Sequence, residues 1–357
     1  FMFSRYKGLH DVPRFEKLGT IKVRHPRFFV IPKYLKFLDT FFYAYSIVNY
    51  VKKNFADNYH ILDLHWSYPD IYAGKLLKNY YMAKMIVNIR GAPALFISYD
   101  SKNNAFKEEL SLRKIILKKL IKEADKVVTL SGQLKLFCMQ YGVIEKKVIV
   151  IPNGIDQYKF YYLDMSYARN SLKIDHESVV ILSVGSLIFR KCFHRVIKSL
   201  KILFKINPYM KYYVVGTSGP AGDDSKELFR IVKKEGVENY IKFLGHINHV
   251  NLVYWYSAAD VFCLPSNSEG CPNVLMEALA CGCPCVATNV GMVADIFQDG
   301  FMGKLVDNSQ KGVQQGLEYV LSRQFNRQKI AESMKQYSWD ECAKKVLRVY
   351  EELLNEG

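Results

Sequence analysis

Glu269 and Glu277 stand at the ends of Glu-Gly-Cys-Pro-Asn-Val-Leu-Met-Glu. Upstream, the apolar run 259–265 reads as a buried parallel strand that stops at proline. A polar loop, 266–270, follows, and the spacing of Val274, Leu275, Ala278 and Leu279 predicts a helix. Pro272 suits its first turn, and Gly282 suits the C′ position beyond its end. A loop at the carboxyl end of a parallel strand, leading into a helix N-terminus, is where open α/β sheets bind ligands. Free N–H groups there favour phosphate. A carboxylate on each flank repels phosphate but accepts hydrogen bonds from hydroxyls. Phosphate between two hydroxyl-bearing groups describes a nucleotide sugar. The plainer alternative makes Glu277 a partner of the positive helix end and Glu269 a solvated loop charge.

The elements that must position these residues alternate between strand and helix. In the first half, helices are expected over 35–54, 72–81 and 107–124, with a fourth running from a Ser131 cap towards Tyr141. Strands are expected over 61–65, 85–89, 126–130 and 148–151. The second half repeats the pattern with strands over 179–184, 211–216, 240–244, 260–264, 284–288 and 304–306. Its helices are expected over 190–205, 225–235 and 340–354, and 219–222 reads as a loop. Strands separated by helices imply parallel sheets, so the fold class is α/β with two Rossmann-like domains joined near 152–164.

At 357 residues, half of them apolar, the chain is long enough for two cores. No uncharged apolar run is long enough for a transmembrane helix, since the nearest, 28–51, is broken by Lys33, Lys36 and Asp39. Cys281, Cys283 and Cys285 alternate without a nearby histidine and read as reduced core residues. The charge is lopsided. Residues 1–150 hold 26 Lys+Arg against 12 Asp+Glu, a net of +14 within the chain's +16. An anionic partner for the first half follows, either a membrane surface or a lipid-phosphate acceptor. The alternative is an ordinary solvated lysine face, with pairs such as Lys52-Lys53, Arg113-Lys114 and Lys118-Lys119 on helices. No motif for nucleic-acid recognition is present, and none is expected as partner.

The string from Glu269 to Glu277 resembles the E-x7-E signature of the retaining glycosyltransferases of family 4, which have the GT-B fold. The resemblance extends over essentially the whole chain. It implies that Glu269 contacts the transferred sugar and Glu277 the ribose hydroxyls. The stretch Gly270, Cys271, Pro272, Asn273, Val274 and Leu275 would then meet the diphosphate. Gly185-Ser186-Leu187 with Lys191 resembles the family's Gly-Arg-Leu…Lys-Gly donor motif, with Ser186 in place of the arginine and Cys192 in place of the glycine. Lys191, with Arg190 as the second cation, would offset the charge gained by the departing diphosphate. Neighbours on a helix diverge by about 100°, so Arg190 and Lys191 are not expected to point alike. Arg90-Gly91 resembles the strand end that faces the cleft, which implies that Arg90 touches the sugar or diphosphate, and His65–Asp70 lies in a comparable loop on the acceptor side. Asn153-Gly154 resembles the hinge turn, whose residues accept positive φ. Residues 240–247 match the strand and turn that meet the base, and Trp339 the closing segment.

On that resemblance the domains are 1–158 on the acceptor side, 159–335 for the donor, and a helix over 336–357 crossing back. The implied activity transfers a sugar from a nucleoside diphosphate sugar to a glycan or polyprenyl-linked saccharide. The chain resembles bacterial surface-polysaccharide and teichuronic-acid-type enzymes, which would place it in the cytoplasm or peripherally on the inner membrane face. No cofactor is expected, and with no Asp-x-Asp cluster no metal either. A GT-B sugar-nucleotide epimerase and a non-catalytic nucleotide-sugar-binding protein are the alternatives. One departure stands out. The opening Phe-Met-Phe-Ser-Arg-Tyr-Lys-Gly is unlike the family's first strand and glycine-rich loop, so the natural N-terminus is expected to be missing.

Overall fold

The computed structural model describes residues 11–29, 38–55, 59–90, 115, 117–219 and 222–356. Expectations for the opening octapeptide, Gly91, the Arg113-Lys114 pair and most of the 107–124 helix lie outside that set. The chain divides into two compact units, one comprising 1–128, 138–149 and 350–357, the other 129–137 and 150–349.

The first unit opens with an antiparallel hairpin of β1 (Phe15–Leu18) and β2 (Ile21–Arg24), turning at Gly19-Thr20. The sequence reading did not anticipate it. Helix α1 (Asp39–Asn54) and the unit β3 (Ile61–Leu64), α2 (Asp70–Tyr81), β4 (Lys84–Ile89) follow as expected. Ala44 and Val48 of α1 pack against Ala73 and Leu77 of α2. The chain then passes through a 3-10 turn at Ile121–Glu123, β5 (Lys126–Thr129), α3 (Gly132–Gln140), whose residues up to Phe137 belong to the second unit, and β6 (Val148–Val150). Ser131 caps α3 as predicted, its Oγ accepting from Leu134 N at 3.1 Å. The sheet order is β3-β4-β5-β6, with β3 and β4 parallel.

The second unit carries α4 (Met165–Leu172), β7 (Val179–Val184), α5 (Phe193–Ile206), β8 (Met210–Val215), α6 (Ser225–Glu235) and β9 (Ile241–Gly245). It continues through α7 (Leu252–Ala258), β10 (Val261–Leu264), α8 (Asn273–Ala280), β11 (Cys285–Thr288), the single turn α9 (Val293–Ile296) and β12 (Gly303–Val306). Helices α10 (Gln310–Leu321), α11 (Arg327–Ser333) and α12 (Trp339–Asn355) complete the fold, and α12 gives its last turns, from Tyr350, to the first unit.

All six strands run parallel, in the order β12-β11-β10-β7-β8-β9. Period-two alternation divides their side chains between two cores. Val180, Leu182, Phe262, Leu264, Cys285 and Ala287 enter one, and Ile181, Tyr212, Val214, Val261, Cys263 and Val286 the other. A sheet buried on both faces explains why these strands read as unbroken apolar runs. The strand order reverses between β7 and β10, and such a switch point leaves a crevice beyond the carboxyl ends of the two strands. The segments after β7 and β10 are the ones singled out from sequence.

Two local expectations need correction. The 190–205 helix begins only at Phe193. Arg190 and Lys191 lie on a 3-10 turn, Phe189–Lys191, followed by Cys192 at φ 51° in the left-handed region. That conformation breaks the helix. Gly154 does not adopt positive φ. A Cβ there would lie 2.5 Å from Trp339 Cα, so close approach of the Trp339 backbone requires the glycine.

Cys281, Cys283 and Cys285 are fully buried free thiols, although only Cys285 lies in a strand. Among the described residues no helix is long and apolar enough to cross a membrane. Nor do three or more His, Cys, Asp or Glu come together to hold a metal ion.

Candidate functional site

The loop between β10 and α8 is held by fixed partners. Arg195 of α5 donates to Pro265 O at 2.9 Å and to the Asn267 side chain. Thr288 Oγ1, at the end of β11, donates to Ser266 O at 2.6 Å. Asn267 N reaches Arg190 O at 2.9 Å, tying the loop to the segment after β7. Met292 N donates to Gly270 O at 3.1 Å. Gly291, at φ 58°, leaves room that a Cβ would fill, since that atom would lie 2.1 Å from Glu269 O.

Glu269 emerges from this loop with its side chain 7% exposed. Lys191 Nζ lies 2.7 Å from Oε1 and Arg190 Nη1 lies 3.1 Å from Oε2. Sequence reasoning expected the two cations to diverge. They converge on one carboxylate because the 3-10 turn replaces the helix and each long side chain approaches a different oxygen. Burial pushes the Glu269 carboxyl up, but the charges of Lys191 and Arg190 outweigh it and hold the carboxyl below its ordinary value. Glu269 is therefore an ionised acceptor at neutral pH. The trio keeps one net positive charge.

Helix α8 begins at Asn273, with Pro272 one position earlier than the first-turn placement, at the N-cap. Its far end closes as predicted, with Gly282 N donating to Leu279 O at 2.8 Å and Cys283 N to Ala278 O at 3.0 Å. Within 270–275, only part of the expected donor set is available. Pro272 has no N–H, Leu275 N donates to Pro272 O at 2.9 Å, and Asn273 N donates to Cys271 O at 3.0 Å. The N–H groups of Gly270, Cys271 and Val274 have no acceptor among the described residues. Leu275 is fully buried core, while the Asn273 side chain accepts from Asn153 Nδ2 at 3.0 Å.

Glu277 is almost buried on α8. Tyr256 Oη donates to its Oε2 at 2.9 Å, and His249 Nε2 lies 3.0 Å from Oε1. Ser186 stands next to Gly185 at the end of β7, with its hydroxyl beside Gly219. Its hydroxyl makes none of the contacts that hold Glu269.

In the first unit, Arg90 and His65 directly follow the adjacent strands β4 and β3. Arg90 Nη2 lies 2.8 Å from His65 Nδ1, and His65 Nε2 is 3.7 Å from Asp63 Oδ2. Asn88 Nδ2 and Tyr350 Oη donate to Asp63. Asp70, at the start of α2, accepts from Tyr43 Oη at 2.9 Å, and burial pushes its carboxyl up despite that bond.

Sequence reasoning missed Arg195, Thr288, Gly291, His249 and Tyr256. A lone arginine on an amphipathic helix, or a lone tyrosine in an apolar run, carries no signal of its own. Gly291 follows a strand in Asn-Val-Gly-Met, which marks a turn but not the loop it supports.

Two family models account for most of the chain. The model of glycosyltransferase family 4 matches residues 5–158, and that of glycosyl transferases group 1 matches 164–339. Both halves of the chain match glycosyltransferase models, and the chain is a glycosyltransferase. This glycosyltransferase is 28% identical to an uncharacterised glycosyltransferase of Methanocaldococcus jannaschii, over 96% of its own length and 87% of the relative's. It is 31% identical to a D-inositol 3-phosphate glycosyltransferase of Catenulispora acidiphila, over 48% of its own length and 42% of that protein's. The fold matches sucrose-phosphate synthase of Thermosynechococcus elongatus with a TM-score of 0.80 at 19% identity, covering 97% and 87% of the two chains. HepE of Anabaena in complex with UDP gives a TM-score of 0.69 at 18% identity, covering 88% and 84%. HepE has also been solved with UDP-glucose. The GT-B fold is thus established.

Proposed function

We propose that this glycosyltransferase moves a sugar from a nucleoside diphosphate sugar to a glycan or lipid-linked saccharide, with retention at the anomeric carbon. The observation that carries this reading is the Glu269 carboxylate, paired with Lys191 and Arg190 beside the unpartnered N–H groups of Gly270, Cys271 and Val274. A diphosphate meets both the fixed donors at the helix start and the two cations. The UDP and UDP-glucose complexes of HepE support a donor of this class.

In this reading Glu269 orients the sugar by accepting from its hydroxyls. When the donor binds, Lys191 and Arg190 turn part of their hydrogen bonding to the diphosphate. As the glycosidic bond breaks, the nucleoside diphosphate leaves with its electron pair. The same cations then stabilise the added charge. With its carboxyl held below the ordinary range, Glu269 does not act as a proton donor. The acceptor hydroxyl attacks from the face the diphosphate vacates and passes its proton to the departing diphosphate oxygen, which gives retention without a protein nucleophile. These cations supply the charge stabilisation for which other transferases use a metal. Glu277 receives the ribose hydroxyls.

The acceptor proposed is a surface-polysaccharide precursor reached at the inner face of the membrane. The net charge of the first 150 residues supports this, as do the exposed Phe41, Tyr45 and Lys53 of α1. The test is the product. A purified saccharide acceptor incubated with a nucleotide sugar is predicted to gain a sugar whose anomeric configuration, read by NMR, equals the donor's. An inverted product contradicts the mechanism, and epimerised donor without transfer contradicts the activity.

A further inference from the structure

The turn after β9 carries a group that the donor reading leaves unused. We infer that His249 is a positioning residue that, with Tyr256, sets the plane of the Glu277 carboxylate for the two ribose hydroxyls of the donor. The inference rests on the nucleotide-sugar reading above.

Glu277 has an 11% exposed side chain and a different donor on each oxygen. An ionised carboxylate offers about four acceptor positions. Tyr256 takes one on Oε2 and His249 one on Oε1, so one remains on each oxygen. Two neighbouring acceptors on one planar group match a vicinal diol.

The anchoring must involve both oxygens. The last torsion of a glutamate is broad and is not fixed by rotamer preference. With Tyr256 alone, one oxygen is tethered and the plane still swings. Tyr256 is fully buried, and burial together with the adjacent Glu277 raises its hydroxyl well above the ordinary value, so it is a constant donor. Because a carboxylate only accepts, the proton must sit on His249 Nε2 for the 3.0 Å contact to be a hydrogen bond.

His249 is itself steadied. Its ring lies edge-on to the buried Phe160, with centroids 4.8 Å apart at 75°. Its 3-10 turn, His249–Asn251, is capped by Asn248 Oδ1 accepting from Val250 N at 3.2 Å. Yet the side chain is 55% exposed, more than a packing role requires. It bridges a buried carboxylate and the open side of the turn.

Calorimetric titration of the full chain with UDP, GDP and ADP, and with the 2′-deoxy and 3′-deoxy forms of whichever binds, tests the inference. The native protein is expected to bind one of them and to lose about tenfold or more on removal of a hydroxyl, as for a hydrogen bond to a charged group. His249→Ala is expected to weaken the parent nucleotide about tenfold while the hydroxyl dependence falls below about threefold. His249→Gln, whose amide N–H can reach Oε1, is expected to restore most of both. Unfolding curves check that each variant is folded. Unchanged binding by His249→Ala overturns the inference, and so does an equal loss for ribose and deoxyribose forms. Failure of the native protein to bind any of the three overturns the donor reading itself, a separate result.

Discussion

The Lys191 ammonium lies 2.7 Å from Glu269 Oε1, with both side chains close to fully buried. Burial makes each ion dependent on the other, because removing one leaves a charge in a place poorly reached by water. Glu269→Gln is therefore expected to lower unfolding free energy by about 3 kcal/mol at neutral pH, and the added Lys191→Met to recover part of it. The same pair fixes the pH response. A carboxyl depressed in the folded protein contributes stability that is complete above its ordinary value of 4.5 and is lost as pH falls through the folded value. The difference between native protein and Glu269→Gln should thus be constant above about pH 6 and shrink below pH 4.5. Urea denaturation at several pH values measures it, and a difference independent of pH contradicts the pairing.

Cys192 occupies a left-handed position at φ 51°, where its side chain is buried. The donor motif that this segment resembles has glycine at this place. Cys192→Ala and Cys192→Gly both remove the thiol, but only the first keeps a Cβ in an unfavourable conformation. Glycine is expected to be the more stable of the two by roughly 0.5–1 kcal/mol, after its greater unfolded-state entropy is counted. Alanine equal to or better than glycine in thermal or chemical unfolding refutes the strain.

Gly291 supports the Glu269 loop through space that only hydrogen can occupy. A methyl group there meets Glu269 O at 2.1 Å and Gly270 O at 2.9 Å. The loop must shift, and misplacement by an ångström costs on the order of a hundredfold in rate. Gly291→Ala is expected to cut turnover by about that factor while unfolding remains cooperative. Turnover within a few-fold of native is incompatible with the role given to the loop.

Much of the second unit was legible because its strands are buried on both faces and so appear as apolar runs. β7 falls on the predicted residues. The 3-10 turn at Arg190-Lys191 was not legible, since a left-handed cysteine breaks a helix without any glycine or proline to announce it. Nor was the function of Gly154, where the demand comes from Trp339, far away in sequence. The carboxylates of the site could be picked out by spacing. So could the cations Arg190 and Lys191, by their motif, although not their convergence on Glu269; His249 and Tyr256 could not, because they reach Glu277 only through the fold.

The basic first half makes a separate prediction. Sedimentation with anionic liposomes at low salt is expected to exceed that with neutral ones and to fall as salt rises, because surface charge is screened over about 10 Å at 0.1 M. Lys52→Glu with Lys53→Glu on α1 should weaken it several-fold. Equal binding to anionic and neutral vesicles removes the membrane proposal and leaves the donor site untouched.

The most direct test is the release of nucleoside diphosphate from a panel of nucleotide sugars, with and without saccharide acceptors, by native protein and by Glu269→Gln. The account predicts acceptor-dependent release that falls about a hundredfold or more in the variant, while donor affinity changes only a few-fold. Turnover by Glu269→Gln equal to that of the native protein contradicts it.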